Sequence, residues 1–194
     1  MSLWSVAAVL VSLVTPAATP AQGVALEVRR GFFAETDIGG FLTVGGGSGY
    51  SNLQSYLQLG LGYQLTVADG AGIMPVGLHL GIGANGQNCW AGHSNGTCTG
   101  SDSFTMTFVT ASWGYLFRLA ERLYLGPRLL GGVVLMDPQP VPGAELGGTV
   151  GALVSLEYAA SMDHFSVGID VSYRLVLGPN ISAVAIAPRV QYTF

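Results

Sequence analysis

Between residues 53 and 67 the chain reads LQSYLQLGLGYQLTV, and its residues sort into two sets by parity. Leu53, Leu57, Leu59, Leu61, Tyr63, Leu65 and Val67 form one set, with Ser55 as its exception. Gln54, Tyr56, Gln58, Gly60, Gly62, Gln64 and Thr66 form the other. A helix would scatter the three glutamines around its circumference, whereas a strand, with side chains alternating between two faces, aligns them. The same two-residue period returns along the chain. Met74, Val76, Leu78, Leu80 and Ile82 oppose Gly77, His79, Gly81 and Gly83. Leu123, Leu125, Leu129, Val133 and Leu135 oppose Tyr124 and Arg128. Val150, Ala152, Val154, Leu156 and Tyr158 oppose Thr149, Ser155 and Glu157. Phe165, Val167, Ile169, Val171, Tyr173 and Leu175 oppose Ser166, Asp170, Ser172 and Arg174. In the last segment Val184, Ile186, Pro188, Val190, Tyr192 and Phe194 oppose Ala185, Ala187, Arg189, Gln191 and Thr193.

One segment breaks the rhythm. In FTMTFVTASWGYLFR, Phe104, Met106 and Phe108 alternate with Thr105 and Thr107, yet Trp113, Tyr115 and Phe117 carry the apolar character on odd positions. If the apolar set always faces the same way, the phase slips near Val109–Ala111, which predicts a β-bulge there.

A two-faced strand fits a soluble sandwich, with its apolar face on a core, or a membrane barrel, with its apolar face on lipid. Composition separates them. Charged residues are 9% of the 194, against about 25% in ordinary soluble domains, while hydrophobic residues are 49%. A sandwich needs more charge on its solvated face. Beyond the N-terminus no apolar run reaches the ~18 residues of a spanning helix. The fold class expected is all-β, a small transmembrane antiparallel up-and-down barrel of eight strands, with ten as the alternative. Seven strands are legible from Leu53 onward, and an even count draws one more from residues 24–47, as one long bulged strand or two short ones. The short connections ADGA, LAE and SMD alternate with longer ones at 85–103, 136–145 and 177–180, as periplasmic turns alternate with outer loops. The location expected is therefore the bacterial outer membrane. Tyr192 and the final Phe194 resemble the C-terminal signal by which such barrels are recognised for assembly, which makes membrane lipid and the barrel-assembly machinery expected partners.

The N-terminus reads as an export signal: Leu3–Val14 is apolar and TPAATPAQG follows with small residues, placing a cut at residues 21–23 and the barrel at 22–194. Cys89 and Cys98, the two cysteines, lie in the polar stretch NGQNCWAGHSNGTCTGSDS of an exported chain and are expected to pair as a disulfide. His93 between them would be one more zinc ligand, but the segment offers no convincing fourth. Trp90 and His93 make the Asn85–Ser103 loop a candidate contact surface, because buried aromatics anchor many interfaces. The alternative is a covalently tied loop that binds nothing.

His79, Arg128, Glu157, Asp170, Arg174 and Arg189 are assigned to the lumen. There they are either a charged constriction of a small channel or a plug of mutually paired side chains, and an eight-stranded interior favours the plug. Seven arginines, no lysine and a net charge of −4 leave no clustered basic surface for nucleic acid. Catalysis would need a nucleophile and a base near the outer rim. The candidates are His79, His93 and His164, the last at the periplasmic end, and none forms a catalytic motif. No cofactor or metal is expected.

The stretches SDSFTMTFVTASWGYLFRLAERLYLGPRL and MDHFSVGIDVSYRLVLGPNISAVAIAPRVQYTF resemble the CglE-type adventurous gliding motility proteins of myxobacteria, with LFRLAER and MDHFSVG the most recognisable pieces. The resemblance implies a non-enzymatic outer-membrane barrel in the envelope-spanning machinery of single-cell gliding, in contact with other envelope proteins of that machinery. Nothing in composition or spacing speaks of motility.

Overall fold

A computed structural model describes residues 31–45, 51–67, 70–85, 104–137, 143, 145–160, 164–179 and 181–194. The signal segment, the cysteine pair with Trp90 and His93, and most of the longer connections lie outside the described residues. Nine strands are assigned: β1 (Phe32–Gly45), β2 (Ser51–Val67), β3 (Gly72–Asn85), β4 (Phe104–Gly114), β5 (Leu116–Ala120), β6 (Leu123–Asp137), β7 (Leu146–Ala159), β8 (Phe165–Val176) and β9 (Ile181–Thr193). β4 and β5 run end to end around Tyr115, and both pair with β3 on one side and β6 on the other, so together they form one stave. The wall therefore has eight staves, each antiparallel to its neighbours.

The sheet closes between first and last strands. Phe33 stands opposite Thr193 and Gly45 opposite Ile181, and the amide of Phe194 donates to the carbonyl of Phe32 at 2.8 Å. Closure leaves no unpaired strand edge, which is the condition for a sheet to cross a bilayer. The stretch whose division was left open, residues 24–47, contributes a single strand within its described part, β1. The barrel has eight staves and not ten.

Parity governs the whole wall. Leu57, Leu59, Leu61, Tyr63 and Leu65 on β2 and Val76, Leu78, Leu80 and Ile82 on β3 are exposed on the outside, while Gln54, Tyr56, Gln58, Gln64 and His79 are buried inside. Nearly every other stave repeats this. From Leu57 to Leu65 the strand rises about 26 Å, or about 20 Å along the axis of a barrel whose strands tilt about 40°, close to the apolar band of outer-membrane barrels. Exposed aliphatic side chains in a closed ring of that height have one stable surrounding, the hydrocarbon of a membrane.

At the short-turn end the outer surface carries an aromatic girdle. Phe32 meets Tyr63 edge-on at 4.9 Å, Tyr115 meets Phe117 at 4.7 Å, and Tyr192 meets Phe165 at 5.0 Å and Phe194 at 5.1 Å. Rings of this kind settle where headgroups meet hydrocarbon. Tyr192 and Phe194 belong to this girdle. His164 lies at the same end, its ring stacked on Tyr192 and its Nδ1 2.6 Å from the carbonyl oxygen of Thr193. Gly70, with φ of 92°, takes a left-handed conformation in the tight turn between β2 and β3 that side chains rarely adopt.

The expected bulge at Val109–Ala111 does not exist. β4 pairs without interruption with β3 and β6 from Thr105 to Trp113. Met106, Phe108, Thr110 and Ser112 all point inward in one unbroken phase. What changes along β4 is the lumen. Toward the loop end it is filled by an apolar cluster of Phe41, Tyr56, Met106, Phe108, Val134, Met136, Val176 and Ile181, with Ala183, Ala185 and Ala187. The true irregularities lie lower, at Tyr115 and between Arg118 and Ala120 beside the turn.

Candidate functional site: the charged lumen

The parity that sends aliphatic residues to lipid sends the charges to the axis. Among the described residues, eight Asp, Glu, His and Arg side chains are buried in the lumen: Glu35, Asp37, His79, Arg128, Glu157, Asp170, Arg174 and Arg189. The six assigned to the lumen from sequence are among them. Glu35 and Asp37 were not foreseen, because they belong to the first strand, whose boundaries the sequence did not settle. The alternation Phe33, Glu35, Asp37 opposite Phe32, Ala34, Thr36 and Ile38 was the signal available.

Glu35 on β1 and Arg189 on the adjacent β9 meet at the centre with Arg128, which reaches across from β6 on the far side of the barrel. Arg128 donates through Nη2 to Glu35 Oε1 at 3.3 Å and through Nη1 to Glu35 Oε2 at 3.4 Å, a two-pronged contact that suits the planar guanidinium. Its Nη2 also donates to Ser112 Oγ at 2.9 Å, and its Nη1 is 3.9 Å from Asp170 Oδ2. Arg189 donates to Glu157 Oε2 at 3.2 Å, to Asp170 Oδ2 at 3.4 Å and to Ser155 Oγ at 3.4 Å, and its Nη1 lies 3.7 Å from Glu35 Oε2. A second cluster sits nearer the loop end. Arg174 donates to Tyr56 Oη at 2.5 Å and to Gln58 Oε1 at 2.7 Å, and Gln58 donates to Asp37 Oδ2 at 2.6 Å. The Arg174 guanidinium also lies 4.9 Å from the ring centre of Phe108 and 5.3 Å from that of Tyr56, so the cation is held by a phenol oxygen, an amide oxygen and two aromatic faces.

Glycines make the room. A Cβ on Gly60 would fall 2.6 Å from His79 Nδ1 and 2.7 Å from Glu35 Cγ, and one on Gly114 would fall 2.5 Å from Arg128 Cγ. In a lumen eight strands wide, a large side chain on one stave requires a small residue on another.

One arrangement has catalytic form. His79 Nε2 is 2.7 Å from Ser112 Oγ, and His79 Nδ1 is 3.0 Å from Glu35 Oε1. That is the order of nucleophile, base and orienting acid in serine hydrolases. Here, however, all three residues are buried, and Arg128 Nη2 caps both Ser112 Oγ and His79 Nε2, the latter at 3.3 Å. The guanidinium can only donate, so Nε2 accepts and the tautomer with its hydrogen on Nδ1, facing Glu35, fits the contacts. Ser112 Oγ is thereby held by two side chains inside the lumen. The described residues contain no group of three or more His, Cys, Asp or Glu arranged to hold a metal.

No family profile and no curated protein matches the sequence. Solved structures do match in fold. Neisserial surface protein A is similar over 84% of this chain and 97% of its own, with 17% identity and a TM-score of 0.58. The attachment invasion locus protein Ail of Yersinia pestis, solved with the heparin analogue sucrose octasulfate, is similar over 86% and 100%, with 12% identity and a TM-score of 0.52. The outer-membrane enzyme PagL is similar over 84% and 99%, with 14% identity and a TM-score of 0.50. Together with the apolar belt and the girdle, this fold makes the chain an eight-stranded β-barrel of the outer membrane.

Proposed function

We propose that the protein is a non-enzymatic scaffold barrel, a membrane-fixed mount that works through the contacts made by its loop end, and that it serves the gliding machinery of the cell envelope. The packed lumen carries the scaffold reading. Three guanidiniums, four carboxylates and His79 occupy the axis in mutual contact, with an apolar tier above them, and such a plug leaves ions no hydrated path. With the axis closed to traffic, the outer surface and the loops remain as working surfaces. Lipid and the barrel-assembly machinery are its expected general partners. The motility role rests on the resemblance of LFRLAER, MDHFSVG and their flanks to the gliding proteins, and the partners would be other envelope proteins of that machinery.

Planar-bilayer recording tests the scaffold reading: the purified barrel should give no conductance steps, and steady unitary currents would replace it with a pore. A clean deletion tests the motility reading. Isolated cells should stop gliding and recover with the wild-type gene; unaffected gliding would leave a general structural barrel. The Ser112–His79–Glu35 geometry favours a second reading, a lipid-modifying enzyme. It predicts altered lipid A by mass spectrometry, lost in Ser112→Ala, and unchanged lipid A would dispose of it.

A further inference from the structure

The two charged clusters of the lumen do not touch through any direct hydrogen bond given above. The central one ends at Asp170, and the one nearer the loops ends at Asp37 and Arg174. Between them lies a small cavity lined by Asp37, Gln58, Asp170 and Arg174, with Tyr56, Leu153 and three further small residues completing the wall. Every lining residue is buried. The space available to the centre of a water molecule is about 10 Å³, which is close to what one water needs. Each of the three charged residues that line it has a buried atom with no protein partner: Oδ1 of Asp37, Oδ1 of Asp170, and Nε and Nη1 of Arg174. Buried polar atoms of this kind are costly to leave unmatched, more so when they belong to ions.

We propose that this cavity is a binding site for a single water molecule, which donates one hydrogen to each aspartate and accepts from the Arg174 guanidinium. The stoichiometry fits. Water has two hydrogens for two carboxylate oxygens and a lone pair for the N–H, giving three hydrogen bonds, the usual number for a buried water. A monovalent cation would satisfy the aspartates equally well by charge, but the guanidinium shares the same space and repels it. The water joins the clusters on either side into one network that runs from Glu157 through Arg189 and Asp170 to Asp37, Gln58 and Arg174. The plug then responds as a unit, because each half is matched only while the water is in place.

Two measurements on the full barrel in detergent test this. A high-resolution crystal structure should show one density peak at about 2.7–3.2 Å from Asp37, Asp170 and Arg174 together, with no anomalous signal when the crystals are grown in rubidium or thallium(I) salt. An anomalous peak there would replace the water with a cation site, and a cavity without density would overturn the proposal outright. The second measurement is the unfolding midpoint of Ala187→Val, which pushes two methyl groups into the cavity from a lining position. Displacing the water strands its three partners, so the midpoint should fall. A midpoint that rises would mean the cavity is an ordinary void and would sink the proposal.

Discussion

The lumen of this barrel is two different solvents stacked on one axis. At mid-height it is ionic: Arg128, Arg189, Glu35, Glu157 and Asp170 face one another while Leu61, Leu78 and Val154 face lipid. Toward the loop end it is apolar: Phe41, Met106, Phe108 and Met136 face one another. On several staves the outer surface there turns to Gly40, Ser55, Thr105, Thr107 and Ser182, although β6 and β7 carry exposed leucines as far as Leu135 and Leu146. The middle is therefore built as a membrane protein and the loop end largely as a soluble one, with its greasy core inside. The difference follows from what lies outside. Hydrocarbon makes apolar exterior residues favourable and leaves polarity for the axis, whereas above the membrane the exterior meets headgroups and water and the ordinary inward burial of apolar residues resumes.

Removing a charge from the middle should produce the largest effect. Arg128→Met keeps the volume but leaves Glu35 without its two-pronged partner, and losing one member of a buried ion network costs about 3–5 kcal/mol. Urea unfolding of the barrel in lipid vesicles, followed by Trp113 fluorescence, should show the loss, and a variant as stable as wild type would mean the central network is not load-sharing. The same loss should come from an opposite chemistry at the loop end. Phe108→Ala removes an inward ring from the apolar tier and should cost about 3–5 kcal/mol as a cavity; a cost below ~1 kcal/mol in the same assay would deny that this tier is a packed core. The outer surface gives the contrast its sharpest form. Leu61→Arg, at mid-height, should cost about 2–4 kcal/mol, and Ser55→Arg, six residues along the same face of the same strand, should stay within about 0.5 kcal/mol. Equal costs at the two positions would erase the proposed boundary between lipid and headgroup. Apart from the near-neutral Ser55→Arg, the smallest effect belongs to Gly60→Ala, whose methyl would crowd His79 and Glu35 and should cost about 1–3 kcal/mol. An unchanged midpoint there would show that the His79–Glu35 contact has slack.

The stacked lumen explains where reading the chain succeeded and where it failed. Parity was reliable in β2, β3, β8 and β9, because inside and outside differ in polarity along most of their length. It misled in β4, where the strand keeps its phase while its surroundings exchange places. Phe108 inside and Trp113 outside are both correct for their own levels, and a rule that sends every apolar residue to lipid must invent a bulge between them. The first strand was obscure for a related reason. Glu35 and Asp37 sit among FFAETDIGGFLTVGGG, where glycines and alternating small residues blur the faces and only the pairing with Gly60 and Gln58 on β2 fixes them.

While it left eight and ten staves both open, the sequence by itself determined which residues share a face along most strands and that the short turns fall at one end. These are properties of neighbours two residues apart, and a strand writes them directly into the chain. Tertiary structure alone decided which charges meet. Arg128 finds Glu35 across 93 positions and Arg174 finds Tyr56 across 118. Such pairs depend on the stagger with which the sheet closes, because a shift in register between β1 and β9 would move Glu35 and Asp37 along the axis relative to every arginine. Alternation carries no information about that stagger. It is set when the two outermost strands join and the lumen selects the register in which its buried ions are matched.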